Sequence, residues 1–198
     1  MPRLAAATKI ERRQQLLDAA WRCLAARGFQ SLTVDEVCAE ARVSKGAFYV
    51  YFAQKQDLLL ALLDADADGM DEVMRRLQHA HMSSVERLRR FARTMVERGE
   101  DPARLQIRAD LWAEMSSSHV VQQRWVAVVR GRRETLKRWI EDGVSSGELA
   151  SIPANALAAI LLALGEGLFL HAGLDPSGFR WVNVGKALDA ILEGIASS

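Results

Sequence analysis

Lys45, Tyr49 and Lys55 are the residues of this chain whose types and spacing could do chemistry together, and that chemistry is the gripping of phosphates and bases. They lie in the run TVDEVCAEARVSKGAFYVYFAQKQDLL, residues 33–59. Lys45 offers a charge to a phosphate or a guanine edge. Gly46 and Ala47 keep the surface low, so a backbone can approach closely. Ser44, Tyr49, Tyr51 and Thr33 carry hydroxyls suited to phosphate oxygens. Lys55 stands where a helix opens, and backbone N–H groups there already attract a phosphate. Phe48 and Phe52, four residues apart, read as core. The competing reading is that all four aromatics of residues 48–52 only fill the interior of a small helical domain.

Bond-making chemistry finds no such constellation. There is no Gly-rich phosphate loop, no G-x-S-x-G elbow and no H-E-x-x-H, so no catalytic residue is expected. Asp64-x-Asp66-x-Asp68-Gly69 opens like a calcium loop, but its twelfth position is Arg75 where a bidentate Glu is required. That run reads instead as a solvated acidic face. His79 and His81 cannot turn toward one ion on a helix. No metal and no cofactor are expected. Cys23 and Cys38 cannot make a disulfide framework and read as small hydrophobes.

The elements that must position these residues are helices. Prolines number 4 and glycines 13 in 198 residues, and helical spacing recurs where strand alternation does not, which predicts an all-α chain of about nine helices. The first should span residues 9–27 and stop at Gly28. Thr33 with Glu36 forms a capping box for the second, and Ser44 caps a short third ending near Tyr51. A fourth is expected from 54 to 80. Ser83 with Glu86 opens a fifth, and Asp101 followed by Pro102 opens a sixth reaching Met115. The remaining three should span 119–142, 153–172 and 179–196.

Charge is divided unevenly. Residues 1–60 hold nine Lys/Arg against six Asp/Glu, and residues 61–198 hold seventeen against nineteen. A basic arm of Arg3, Lys9, Arg12 and Arg13 thus precedes a slightly acidic body. The longest uncharged apolar stretch, 149–165, contains Pro153 and stops at Glu166, short of a membrane span. Lys9, Glu11, Arg12 and Arg13 interrupt any signal sequence. A soluble cytoplasmic protein with no membrane partner is expected.

Two short capped helices joined tightly at Arg42 and Val43 make a helix-turn-helix, whose second helix, 44–51, would enter a DNA major groove. Here the chain resembles the TetR family of transcriptional regulators. The pattern A-x-x-A-G-V-S-x-G-x-[LIF]-Y-x-[YH]-F-x-x-K-x-x-L is nearly matched by residues 38–58, with support upstream from Leu17, Ala20, Leu24, Gly28, Phe29 and Thr33. Three residues depart from it. Arg42 replaces a common glycine in a turn of left-handed type, Cys38 replaces alanine, and Ala53 with Gln54 replaces the usual cap.

The resemblance implies a DNA-binding domain over residues 1–55 and an effector-binding and dimerisation domain over 56–198. It implies that the last two helices pair with a second subunit as a four-helix bundle, and that the body encloses a small-molecule pocket. The residues permit this independently. Trp181, Val184, Leu188, Ile191 and Ile195 step by three and four, a packing seam, and the 153–172 helix is apolar on both sides. Leu164, Leu168, Leu188 and Ile191 are the candidates for the dimer seam. Glu166 interrupts one apolar stripe and Arg132 another. Either the two pair with each other, or Glu166 lines a pocket with Trp112, Met115, Trp125 and Phe169 that suits an apolar effector, including a cationic one. The expected function is a homodimeric, ligand-responsive repressor that binds palindromic double-stranded DNA and is released by a small molecule. The alternative is an all-α small-molecule binding protein or enzyme whose N-terminal helices are only structural.

Overall fold

A computed structural model describes residues 2–196, and within its helices the side chains of all but 2–8, 26, 27 and 30. Arg3 of the basic arm therefore lies outside the described side chains. Among the described residues nine helices follow one another: α1 (Pro2–Ser31), α2 (Val34–Ala41), α3 (Lys45–Tyr51), α4 (Lys55–His79), α5 (Ser84–Gly99), α6 (Pro102–Met115), α7 (His119–Ser145), α8 (Ala154–Leu174) and α9 (Trp181–Gly194). Among the described residues there is no strand, and one isolated bridge joins Leu149 to Ala196.

The caps explain where most helices begin. Thr33 Oγ1 accepts from Glu36 N at 3.2 Å while Glu36 takes the Thr33 N–H at 2.8 Å. Ser44, Asp101 and Ser118 each accept a backbone N–H of the helix they open. Such caps contribute about 1 kcal/mol apiece. Ser83 caps α5 in the same way, but Glu86 does not reach back to complete a box: its carboxylate takes Arg90 Nε at 2.8 Å, one turn further along the helix.

Several helix limits differ from those expected, among them those of α9, which spans 181–194 rather than 179–196. Helix α1 starts seven residues early, because Ala5, Ala6 and Ala7 favour helix. Gly28 does break its regular course, with φ of 74°, and a β-carbon there would press into the Gln106 side chain. Helix α7 runs through Gly143 to Ser145; that glycine answers crowding, since a β-carbon would stand 2.7 Å from Leu149 and 2.8 Å from Ser84. Helix α8 passes Gly173 and ends at Leu174.

Two apolar clusters make the core. The first gathers Leu16, Leu24, Val37, Phe48 and Leu59 from α1–α4, and continues into Ile107 and Leu111 of α6 and Trp125 of α7. The second joins the far half of α4 to Leu88 and Phe91 of α5, Trp139 of α7 and Leu192 of α9. Helix α4 runs through both and so connects the N-terminal helices to the body. Helix α8 is apolar and long enough to cross a membrane; Ala158, Gly165, Phe169 and Ala172 are buried against the other helices, while Ile160, Leu164, Leu170 and Leu174 are exposed.

The acidic run of α4 is not a solvated face. Asp66 is 5% exposed and meets Arg98 of α5 together with Arg104 and Arg108 of α6; Asp64 pairs with Arg124 at 2.6 Å. One carboxylate among three guanidiniums is tolerable in an interior only because the hydrogen bonds are so many.

Candidate DNA-binding face and ligand cavity

The turn between α2 and α3 depends on Arg42, which adopts the left-handed conformation at φ 53° and ψ 44°, the one positive φ among described non-glycine residues. Its N–H and that of Val43 close onto the last carbonyls of α2. Phe48 and Phe52 are buried with ring centroids 5.4 Å apart, as their spacing predicts. That leaves Lys45, Gly46 and Tyr49 outward on α3, while Ala47 and Tyr51 are half-buried.

Basic residues surround this face. Arg12 and Arg42 line a groove with Ser44, Ala47 and Tyr51. Arg13 lies over the Phe52 ring. Lys45 Nζ pairs with Asp35 of α2 at 2.9 Å, and the hydrogen bond and charge of Asp35 raise its pKa. Thr33 is exposed but committed to its cap. Lys55 opens α4 as expected, yet its ammonium sits 4.5 Å above the Phe29 ring, where burial lowers its pKa against the pull of Asp110 and Glu114.

The body contains an open cavity of about 950 Å³ between α6, α7 and α8. Trp112, Met115, Trp125 and Glu166 all line it. Phe169 does not: it is buried beside the cavity, one turn along α8 from Glu166, against Trp181 and the Arg108 guanidinium. Glu166 does not pair with Arg132 either. Its Oε1 accepts from Arg108 Nη1 at 3.0 Å, its Oε2 is buried without a partner, and burial raises its pKa although Arg108 and Arg132 oppose the shift. Arg132 instead gives Nε to Asp71 at 2.9 Å and Nη2 to the Ala67 carbonyl.

Sequence reasoning missed Arg130 and Arg133 in the cavity wall. Their spacing from Gln122, Val126 and Val129 puts them on one face of α7, a signal obscured by Arg132, which lies between them and faces elsewhere. It also missed Asp110, whose carboxylate takes the Phe29 N–H at 2.8 Å and so fastens α6 to the end of α1.

The seam residues divide. Ile191 is 55% exposed and Leu164 36%, whereas Leu188 is 8% exposed; Leu164, Leu168 and Leu188 together line a small gap with Phe91 and Met95. Leu188 thus packs within its own subunit, because the α9 stripe turns toward α5. The exposed large apolar residues of α8 and α9 are Ile160, Leu164, Leu170, Leu174, Val182 and Ile191, of which Leu170 also lines the cavity.

Residues 16–62 match the family described as bacterial regulatory proteins, tetR family, and residues 84–197 match the BetI-type transcriptional repressor C-terminal family. Over 188 residues the chain is 26% identical to the HTH-type transcriptional repressor AcnR of Corynebacterium diphtheriae, covering 94% of this chain and 93% of that one. A TetR transcription regulator from Haloarcula marismortui superposes with a TM-score of 0.84 at 18% identity, covering 94% of this chain and 99% of that one. A transcriptional regulator from Saccharomonospora viridis, crystallised with choline, superposes at 0.82 with 22% identity, covering 95% and 99%. These two structures share the fold.

Proposed function

Since the chain belongs to the TetR family of bacterial regulatory proteins, we propose that it is a homodimeric, cytoplasmic transcriptional repressor that holds an inverted-repeat operator and lets go when a small apolar molecule enters the α6–α7–α8 cavity. Residues 1–55 form the DNA-binding domain and 56–198 the effector-binding and dimerisation domain. The observation that carries the reading is the convergence of Arg12 and Arg42 on the face of α3 that presents Ser44, Ala47 and Tyr51. Guanidiniums from two other elements flank a helix with a low, polar surface, as a major-groove reader requires.

The walls of the cavity supply a route from effector to DNA. Trp112 and Met115 belong to α6, and α6 holds the end of α1 through Asp110 and Phe29. A ligand that displaces α6 therefore shifts the head, provided it binds the displaced state more tightly. The Saccharomonospora viridis protein of the same fold was crystallised in complex with choline, which supports a small-molecule effector. Two copies joined through Ile160, Leu164, Leu174, Val182 and Ile191 would cover the exposed apolar face of α8 and α9.

A gel-shift assay on the DNA upstream of the protein's own gene tests this reading. The triple variant Arg42→Ala, Lys45→Ala, Tyr49→Ala should fold with unchanged helix content and lose the specific shift. Wild-type affinity in the folded variant, or a 22.0 kDa particle by light scattering at micromolar concentration, overturns it.

A further inference from the structure

We infer that the molecule taken by the α6–α7–α8 cavity is an amphipathic anion, an apolar or aromatic body with one carboxylate, held by Arg133 with help from Arg130. The inference rests on the reading of that cavity as the effector site and specifies its ligand class. It comes from the balance of charge in the wall. Glu166 is the carboxylate there, and Arg108 already engages it while also holding Asp66. A cation entering the cavity would compete with that guanidinium and face two more.

Arg130 and Arg133 are placed differently. Arg130 is exposed and reaches water. Arg133 is half-buried. Both arginines line the cavity, and neither forms an ion pair among the described residues. A carboxylate entering the cavity would meet the outer guanidinium nitrogens that these two residues carry. Guanidinium geometry suits the planar, two-oxygen acceptor better than a point charge would. The rest of the ligand would lie on Trp112, Trp125, Val126, Leu162 and Leu170. About 950 Å³ leaves ample room for a phenyl or short alkyl body.

Three probes with the same apolar body and different heads test the inference: phenylbutyrate, phenylbutanol and phenylbutyltrimethylammonium. Binding to the full-length protein is read by calorimetry, and release of bound DNA by fluorescence anisotropy. The acid should bind at least about tenfold more tightly than the alcohol, and the ammonium most weakly of the three. Arg133→Ala should erase the acid's advantage and leave the alcohol's affinity unchanged. Arg130→Ala, at an exposed position that does not threaten folding, should reduce the advantage in part. If the ammonium binds as tightly as the acid or more tightly and releases DNA, the cavity remains the effector site and the anionic class is wrong. If Arg130→Ala and Arg133→Ala both leave the order of the heads unchanged, the assignment to these arginines is wrong. If none of the three binds, the inference and the reading of the cavity fall together.

Discussion

Asp66 and Glu166 are joined through a single side chain. Arg108 gives Nη2 to Asp66 Oδ2 at 3.1 Å and Nη1 to Glu166 Oε1 at 3.0 Å, with its guanidinium stacked 4.4 Å from the Trp125 ring centroid. The helix that leads from the DNA-binding head and the helix that walls the cavity are therefore tied by two charged bonds inside an aromatic enclosure. Arg98 and Arg104 converge on the same Asp66.

Asp66→Asn should be among the most damaging isosteric changes in the body. It leaves three guanidiniums around an amide that carries no charge, and breaking a buried pair in this way costs about 3–5 kcal/mol. For a chain of this size that lowers Tm by roughly 10 °C. Thermal unfolding followed by circular dichroism measures it, and a fall no larger than that of an exposed control such as Asp68→Asn would show that the cluster contributes nothing.

Glu166→Gln should have the opposite sign at neutral pH. Burial raises the Glu166 pKa above its ordinary value, so the folded chain bears a cost for keeping this carboxyl charged. That cost is complete above the folded-state pKa and is relieved as pH falls through it. The variant should therefore equal or exceed wild type in Tm near pH 7 and lose its advantage as pH falls into the ordinary carboxylate range. An offset that stays constant across that range would contradict the sign.

Asp35→Asn should strengthen DNA binding. Asp35 pairs with Lys45 at 2.9 Å on an exposed surface, and its charge stands beside the helix proposed to meet phosphates. Freeing Lys45 and removing the anion should raise affinity several-fold and steepen the dependence on salt by up to about one unit of slope. Fluorescence anisotropy at several salt concentrations measures both quantities, and an unchanged or weakened affinity would place Lys45 away from the DNA.

Leu188→Asp and Ile191→Asp should separate folding from assembly. Leu188 is enclosed within the subunit, so a charge there should unfold the body. Ile191 faces outward at 55% exposure, so its variant should keep its helix content and yield a folded monomer. Circular dichroism with light scattering distinguishes the two outcomes; a folded Leu188→Asp monomer would mean that this residue packs against the partner subunit instead.

Gly99→Ala should destabilise the α5–α9 contact, because a β-carbon there would stand inside the van der Waals surface of the Trp181 ring. Overpacking of this kind costs about 1–3 kcal/mol. Trp181→Leu in the same chain should recover part of the loss in a double-mutant cycle, whereas additive losses would show that the ring does not meet this glycine.

What the sequence by itself determined is local. The capping box of Thr33 and Glu36, the caps at Ser44 and Asp101, the left-handed Arg42 and the buried pair Phe48 and Phe52 each depend on residues within about four positions of one another, where helix geometry leaves little choice. The helix-turn-helix geometry followed from those positions, and Trp112, Met115, Trp125 and Glu166, four of the five residues expected around a pocket, line the cavity. Tertiary structure alone decided which neighbour each face would meet. Asp66 is buried because arginines 32, 38 and 42 residues further along the chain converge on it. Phe169 turns from the cavity because Trp181 and Arg108 enclose it, and Leu188 faces inward because α9 lies along α5. Periodicity indicates that a helix has an apolar side; the partner that covers that side, and the charge buried beneath it, depend on chain segments whose separation in sequence carries no such signal.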